Sequence, residues 1–142
     1  MATLGIDVGE KRIGVAIAPS DGLLAIPLTV IERTDEEADL KAILALIQEW
    51  GIDRVVIGLP RSLDGTLGAQ AEKVLAFSQM LSRRTSVAID TWDERLSTVG
   101  AEHLLKDAGM KGGKRKAHRD ALAAAIILQS YLDRSRAIPA DG

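Results

Sequence analysis

The chain has 142 residues, enough for one domain with a buried core, and its 46% hydrophobic and 27% charged content is that of an ordinary globular protein. No window approaches the roughly 18 uncharged apolar residues of a membrane helix, and with no cysteine there is no disulfide framework, thiolate zinc site or Cys nucleophile. The net charge of −2 hides a local excess: Lys111, Lys114, Arg115, Lys116 and Arg119 put +5 into nine residues and leave −7 on the rest.

The N-terminus, Met1 to Asp7, lacks the basic region and long apolar stretch of a signal peptide, so a cytoplasmic protein is expected. Leu4 to Val8 reads as a buried strand and Gly9 as a turn. Ile13 to Ala18 reads as a second strand, close enough for an antiparallel hairpin. Leu23 to Ile31 is a third, with Pro27 pointing to an edge or an irregularity. The period then changes. Thr34-Asp35-Glu36-Glu37 fits a capping box, Leu40, Ile43, Leu44 and Ile47 share a helical face, and Gly51 is a stop. Arg54 to Leu59 is an apolar strand ended by Pro60, and a loop through Asp64-Gly65-Thr66 leads to a helix with Ala71, Val74, Leu75 and Leu81. Ser86 to Ile89 is a fifth strand, followed by a helix over about Leu96–Ala108. Gly109 to Lys116 reads as a flexible basic loop, the last helix as Arg119 to Asp133, and the tail 135–142 as disordered. Three strands in a meander followed by alternating helices and strands make an α/β domain with a mixed sheet, expected as a single unit over 1–134.

Three acids stand at junctions of these elements: Asp7 at the end of the first strand, Glu94 after the fifth, and Asp120 at the start of the last helix. Oxygen clusters of this kind hold hard divalent cations, and metal-assisted phosphoryl chemistry uses them. Each has a plainer reading. Asp7 can bond the amides of Gly9 or Glu10 in a turn. Glu94 can close a capping box begun by Thr91, with Asp90 and Asp93 as neighbouring acids for any ligand role. Asp120 can favour a helix N-terminus, worth about 0.3–1 kcal/mol, yet it shares a face with Ala124, Ile127 and Tyr131, an inward stripe. Together, in this fold order, the three favour a site. The basic run ahead of Asp120 suits a phosphate backbone, and Lys11, Arg95, Lys111, Lys114, Arg115, Lys116 and Arg119 are the candidate nucleic-acid contacts. Aromatic content of 3% speaks against a base-stacking platform, and Trp92 reads as a core residue.

Four ordered motifs carry a resemblance over nearly the whole chain. They are Ile6-Asp7-Val8-Gly9 with Lys11 and Ile13-Gly14-Val15-Ala16, then Val56-Ile57-Gly58-Leu59-Pro60 with Asp64-Gly65-Thr66. Asp93-Glu94-Arg95-Leu96-Ser97-Thr98 follows, and then Asp120 ahead of Ala124 to Leu128. They resemble the YqgF/RuvX family of bacterial proteins. The resemblance implies an RNase H-like fold with strand order 3-2-1-4-5 flanked by helices. It implies a metal-dependent nuclease in which Asp7, Glu94 and Asp120 are catalytic and hold two Mg²⁺ or Mn²⁺ ions. The family carries two labels: a nuclease maturing the 5′ end of precursor 16S rRNA, the expected activity here, and a Holliday junction resolvase acting on branched DNA. Its nucleic-acid partner, a monomeric or homodimeric state and the absence of a membrane partner are further expectations. Relative to the broader resolvase and RNase H group, the fourth strand ends in Gly58-Leu59-Pro60 with no carboxylate, and the second acid that the resemblance implies comes instead from after the fifth. Of other classes, a non-catalytic binding module is disfavoured by retention of all three acids. A sugar-kinase-like ATPase would need a second such domain and a second Asp-x-Gly loop.

Overall fold

The computed structural model describes residues 2–19, 24–60, 67–93 and 112–137, with the side chains of the last segment from 119 to 134. Five strands form one sheet: β1 (Ala2–Val8), β2 (Arg12–Ala18), β3 (Ile26–Glu32), β4 (Ile52–Leu59) and β5 (Ala88–Asp93). Their order is β3-β2-β1-β4-β5, with β1–β2 and β2–β3 antiparallel and β1–β4 and β4–β5 parallel. This is the expected mixed RNase H-like sheet. Pro27 lies on edge strand β3, beside a register shift between Val15 and Ala16, because a proline cannot donate to the ladder.

Helices α1 (Glu36–Trp50) and α2 (Ala69–Arg84) cover one face of the sheet, and α3 (Gly112–Ala137) covers the other. The strands' period of two sorts their side chains between the faces. Leu4, Ile6, Val8, Ile13, Val15, Ile17, Val55 and Ile57 meet Leu40, Ile43, Val74 and Leu81 of α1 and α2. Each such side chain, when fully buried, contributes about 1.5–3 kcal/mol of hydrophobic stabilisation. The alternate residues Ala16, Ala18 and Val56 meet Ala124, Ile127 and Leu128 of α3. There the side chains are small, so the helix comes very close. A Cβ on Gly5 would lie 2.7 Å from the Cβ of Leu128. One on Gly14 would collide with the Asp120 carbonyl oxygen and stand 3.1 Å from the Ala121 nitrogen.

Several boundaries differ from the sequence reading. Asp35, not Thr34, caps α1, its carboxylate accepting from the Ala38 amide at 2.9 Å, as aspartate does readily at this position. Strand β3 starts at Ile26 rather than Leu23, and the Ala25 amide donates instead to Gln129 Oε1 of α3 at 2.8 Å. Strand β5 runs on to Asp93, so Thr91 is a strand residue and not a helix cap. The largest difference is α3, which begins at Gly112 rather than Arg119 and takes in most of the stretch read as a flexible basic loop. Lysine, arginine and alanine all favour helix, and two glycines at its start did not stop it. The helix continues to Ala137, three residues into the expected tail. The expected helix over 96–108, the loop 61–66 and residues 138–142 lie outside the described residues. Among the described residues no helix is long and apolar enough to cross a membrane.

Candidate active site

Asp7 is the next-to-last residue of β1, the central strand, and is half-buried. Its register partner on β2 is Gly14, and directly opposed residues of an antiparallel pair point to the same face. The Asp7 side chain is therefore on the α3 side, with Gly5 and Gly14. Asp120 comes to the same place from α3, since its carbonyl lies against Gly14. Asp120, 113 positions on from Asp7, thus has its backbone against the residue that pairs with Asp7 across the hairpin. The absence of a side chain at Gly14 is what lets α3 come so close.

The row continues across the sheet. The β1–β4 register, with Ile6 opposite Ile57, sets Gly58 beside Asp7, and Gly58 pairs with Trp92 of β5. Trp92 is on the α3 side, donating from Nε1 to Ser130 Oγ at 3.0 Å and meeting Tyr131 edge to face, with ring centroids 5.6 Å apart. It is a packed residue held to α3, as expected of a core tryptophan. Glu94, the third expected acid, follows directly on β5 but lies outside the described residues, as do Arg95 and Lys111. The two neighbouring acids are described. Asp93 pairs with Leu59, a residue of the α1–α2 face. Asp90 accepts from Tyr131 OH at 2.9 Å and is ion-paired with Arg54. The hydrogen bond that Arg54 donates to Asp90, with the nearby Tyr131 oxygen and the Asp90 charge, pushes the Arg54 guanidinium pKa further up, while burial first, and then Asp90, raise the Tyr131 phenol. Among the described residues no three His, Cys, Asp or Glu side chains gather.

The plainer reading of Asp120 weakens in this geometry. In the turn after Asp7, the Gly9 amide donates to the Arg12 carbonyl at 2.9 Å and closes the hairpin. Asp120 stands more than two turns inside α3 and not in its first turn, so the helix N-terminus does not account for it. Its stripe is inward: Ala124 is fully buried and Ile127 is buried, as the sequence spacing indicated.

Four residues that the sequence did not single out complete the surroundings. Arg12, on the α3 face two residues before Gly14, donates from Nε to Asp120 Oδ2 at 2.6 Å. This hydrogen bond and the Asp120 charge raise the Arg12 pKa, with Glu32 on β3 adding to the effect. Arg33 holds the turn after Asp7: its Nη1 donates to the Gly9 carbonyl at 2.9 Å and its backbone amide to the Lys11 carbonyl at 2.9 Å. The Arg33 guanidinium is itself fixed by the buried Asp39, at 3.0 Å. Gln70 of α2 donates to the Val8 carbonyl at 3.3 Å. The turn carrying Asp7 is thus anchored from two sides. Alternation with Gly14, Ala16 and Ala18 would have assigned Arg12 its face; nothing local foretold Asp120 as its partner. Lys11 and Arg119 are exposed and adjoin the Arg12–Asp120 pair in the chain, while the side chains of Lys114, Arg115 and Lys116 lie outside the described ones.

Comparisons with known proteins bear on the family and the fold. The RuvX family, described as Holliday junction resolvase, matches residues 1–134. A protein of Desulforudis audaxviator named "Putative pre-16S rRNA nuclease" is 46% identical over 133 residues, covering 94% of each chain. A protein of Chloroflexus aurantiacus with the same name is 47% identical over 136 residues, 96% of this chain and 89% of its own. Among solved structures, Thermus thermophilus RuvC in complex with a Holliday junction substrate superposes with a TM-score of 0.64 at 18% identity, over 95% of this chain and 96% of that one. The fowlpox virus resolvase bound to Holliday junction DNA gives 0.60 at 9% identity, over 95% and 99%. At such identities the two structures establish the fold.

Proposed function

The chain belongs to the RuvX family and is a nuclease, and we propose that it is a metal-dependent endonuclease, one domain over 1–134, that cuts precursor 16S rRNA at a site built on Asp7, Asp120 and Glu94. The observation that carries the reading is the meeting of Asp7 and Asp120 over Gly14, on the one face where a helix replaces bulky side chains. The alternation of β5, with Asp90 and Trp92 on the α3 side, is the reason to choose Glu94 over Asp93. Asp90 is spoken for by Arg54 and Tyr131.

The donors suit the metal. They are carboxylate oxygens with no imidazole or thiolate among them, the set that hard Mg²⁺ and Mn²⁺ accept. Asp120 already attracts a cation, the Arg12 guanidinium. Asp7, Glu94 and Asp120 would hold the metal, a pair of ions in this proposal, which when bound supplies an activated water and stabilises the leaving oxygen. The protein's own part is to position. Arg33 and Gln70 fix the carbonyls at Gly9 and Val8 on either side of the Asp7 turn, and Gly14 seats α3. Lys11 and Arg119, with Arg95, Lys111, Lys114, Arg115 and Lys116, would neutralise phosphates without reading sequence. The relatives' name and their identity of 46–47% favour precursor rRNA; the family description keeps branched DNA as the second reading.

Cleavage of precursor 16S rRNA and of four-way junction DNA by parent and Asp7→Asn, with Mg²⁺ and Mn²⁺, tests the proposal. The RNA is cut and Asp7→Asn loses roughly a hundredfold or more in rate, about 3 kcal/mol of transition-state stabilisation. In melting curves the metal raises the midpoint of the parent and not of Asp7→Asn. Preferential junction cleavage would replace the substrate. An equal metal shift in both proteins would remove Asp7 from the site.

A further inference from the structure

The Arg12–Asp120 pair joins a cation of the protein to a carboxylate that the proposed site needs. It is short, at 2.6 Å, and both side chains are only partly covered, at 23% and 29% exposure, so ions and substrate can reach them. Arg12 stands on the α3 face two residues before Gly14, the residue that pairs with Asp7 across the hairpin. Its register partner on the other side is Glu32, whose charge also acts on it. A guanidinium has no acceptor and stays charged under all ordinary conditions, so it cannot share a small oxygen-lined site with a divalent cation at no cost.

We propose that Arg12 is a resident counter-ion of Asp120 that the divalent metal displaces, and that the freed guanidinium then takes a phosphate of the substrate backbone. Arg12 thereby links loading of the metal to capture of the nucleic acid. The inference rests on the site assigned to Asp120 above. While the site is empty, Arg12 offsets the Asp120 charge and competes with the metal for Oδ2. Once the metal holds Asp120, like charges separate the two cations. Glu32 keeps Arg12 at the rim of the same face, where planar donors match a phosphate in two-point contact.

The test needs no turnover in its first arm. Calorimetric titration of Mn²⁺ into metal-free protein, without nucleic acid, compares parent, Arg12→Gln, Arg12→Lys and Asp120→Asn. Arg12→Gln binds Mn²⁺ roughly fivefold or more tightly than the parent, and Arg12→Lys, which keeps the charge, stays near the parent. In the second arm, at saturating Mn²⁺, Arg12→Gln raises KM for the RNA several-fold with a smaller change in kcat. Unchanged or weaker Mn²⁺ binding by Arg12→Gln would overturn the competition and make Arg12 a fixed brace. An unchanged KM would overturn the phosphate contact. If Asp120→Asn binds Mn²⁺ as the parent does, Asp120 is no ligand, and the site assignment falls together with the inference.

Discussion

The two faces of the sheet are made by the same strands and differ by one residue in phase. Towards α1 and α2, β1 presents Leu4, Ile6 and Val8, all buried, and β2 presents Ile13, Val15 and Ile17. Towards α3 the intervening residues are Gly5 and Asp7 on β1, and Arg12, Gly14, Ala16 and Ala18 on β2. The first face is a closed apolar layer whose side chains fill space and whose loss leaves cavities. The second is a shallow bed on which helix backbone rests directly on strand backbone. Such a bed buries less apolar area per residue, and in return it seats Asp120 beside Asp7 and keeps both within reach of solvent. A strand that reads as evenly apolar thus assigns most of its stability to one set of alternate positions and its chemistry to the other.

Substitutions on the two faces should separate these roles. Ile6→Ala, in the closed layer, leaves a cavity and should lower stability by about 2–5 kcal/mol. Activity per folded molecule should remain near that of the parent at a temperature where the variant is folded. Denaturant unfolding and cleavage on the same sample read both quantities, and a proportionate fall in specific activity would mean that the apolar face also positions the site. Gly14→Ala is the converse. The added methyl meets the Asp120 carbonyl and must push α3 off the sheet. Overpacking of this kind costs roughly 1–3 kcal/mol, less than the cavity, yet it displaces Asp120 from Asp7. Cleavage and Mn²⁺ binding should therefore both fall at least tenfold. Normal Mn²⁺ affinity in Gly14→Ala would show that the helix seat does not hold the site together.

How much of this could be read from the chain follows from the range of each interaction. Strand and helix identities are local and periodic, so the five strands, the stop at Gly51 and the inward stripe of Asp120, Ala124 and Ile127 were legible, while the strand order came from the family resemblance. Boundaries were less so, because competing caps of similar strength lie one residue apart at Thr34 and Asp35. The early start of α3 was missed because glycines and basic residues resemble a loop until the helix they precede is packed on a sheet. The arginine contacts between distant positions were the least legible. Arg12 with Asp120 spans 108 positions, and Arg33 turns back to the Gly9 carbonyl across 24. Neither partner is special in composition; register alone brings them together. Lys11 was singled out for its charge, whereas its neighbour Arg12 has the side chain that meets the acid.

The smallest expected effect lies at the rim of the apolar face and sharpens the comparison from the polar side. There Arg84 at the end of α2 grips Glu37 of α1 with two hydrogen bonds, at 2.7 and 2.6 Å, both side chains being largely exposed. If α1 and α2 are held by apolar burial, this exposed clasp should matter little and should show its electrostatic origin through pH. The hydrogen bonds from Arg84, more than its charge, lower the Glu37 pKa below its ordinary value. A carboxyl lowered in the folded state stabilises the fold above its unfolded pKa, and that stabilisation is lost as pH falls through the folded value. Arg84→Gln leaves Glu37 in place and returns it to ordinary carboxyl behaviour. The parent should accordingly be slightly more stable than Arg84→Gln at neutral pH. The gap should stay level down to the ordinary glutamate range near 4.5 and close below it. It should shrink in high salt at neutral pH as well, since exposed pairs are screened. Urea midpoints of the two proteins along an acid series measure the gap directly. A gap that persists after Glu37 is protonated would place the value of Arg84 in the packing of its stem against α1 and not in its charge.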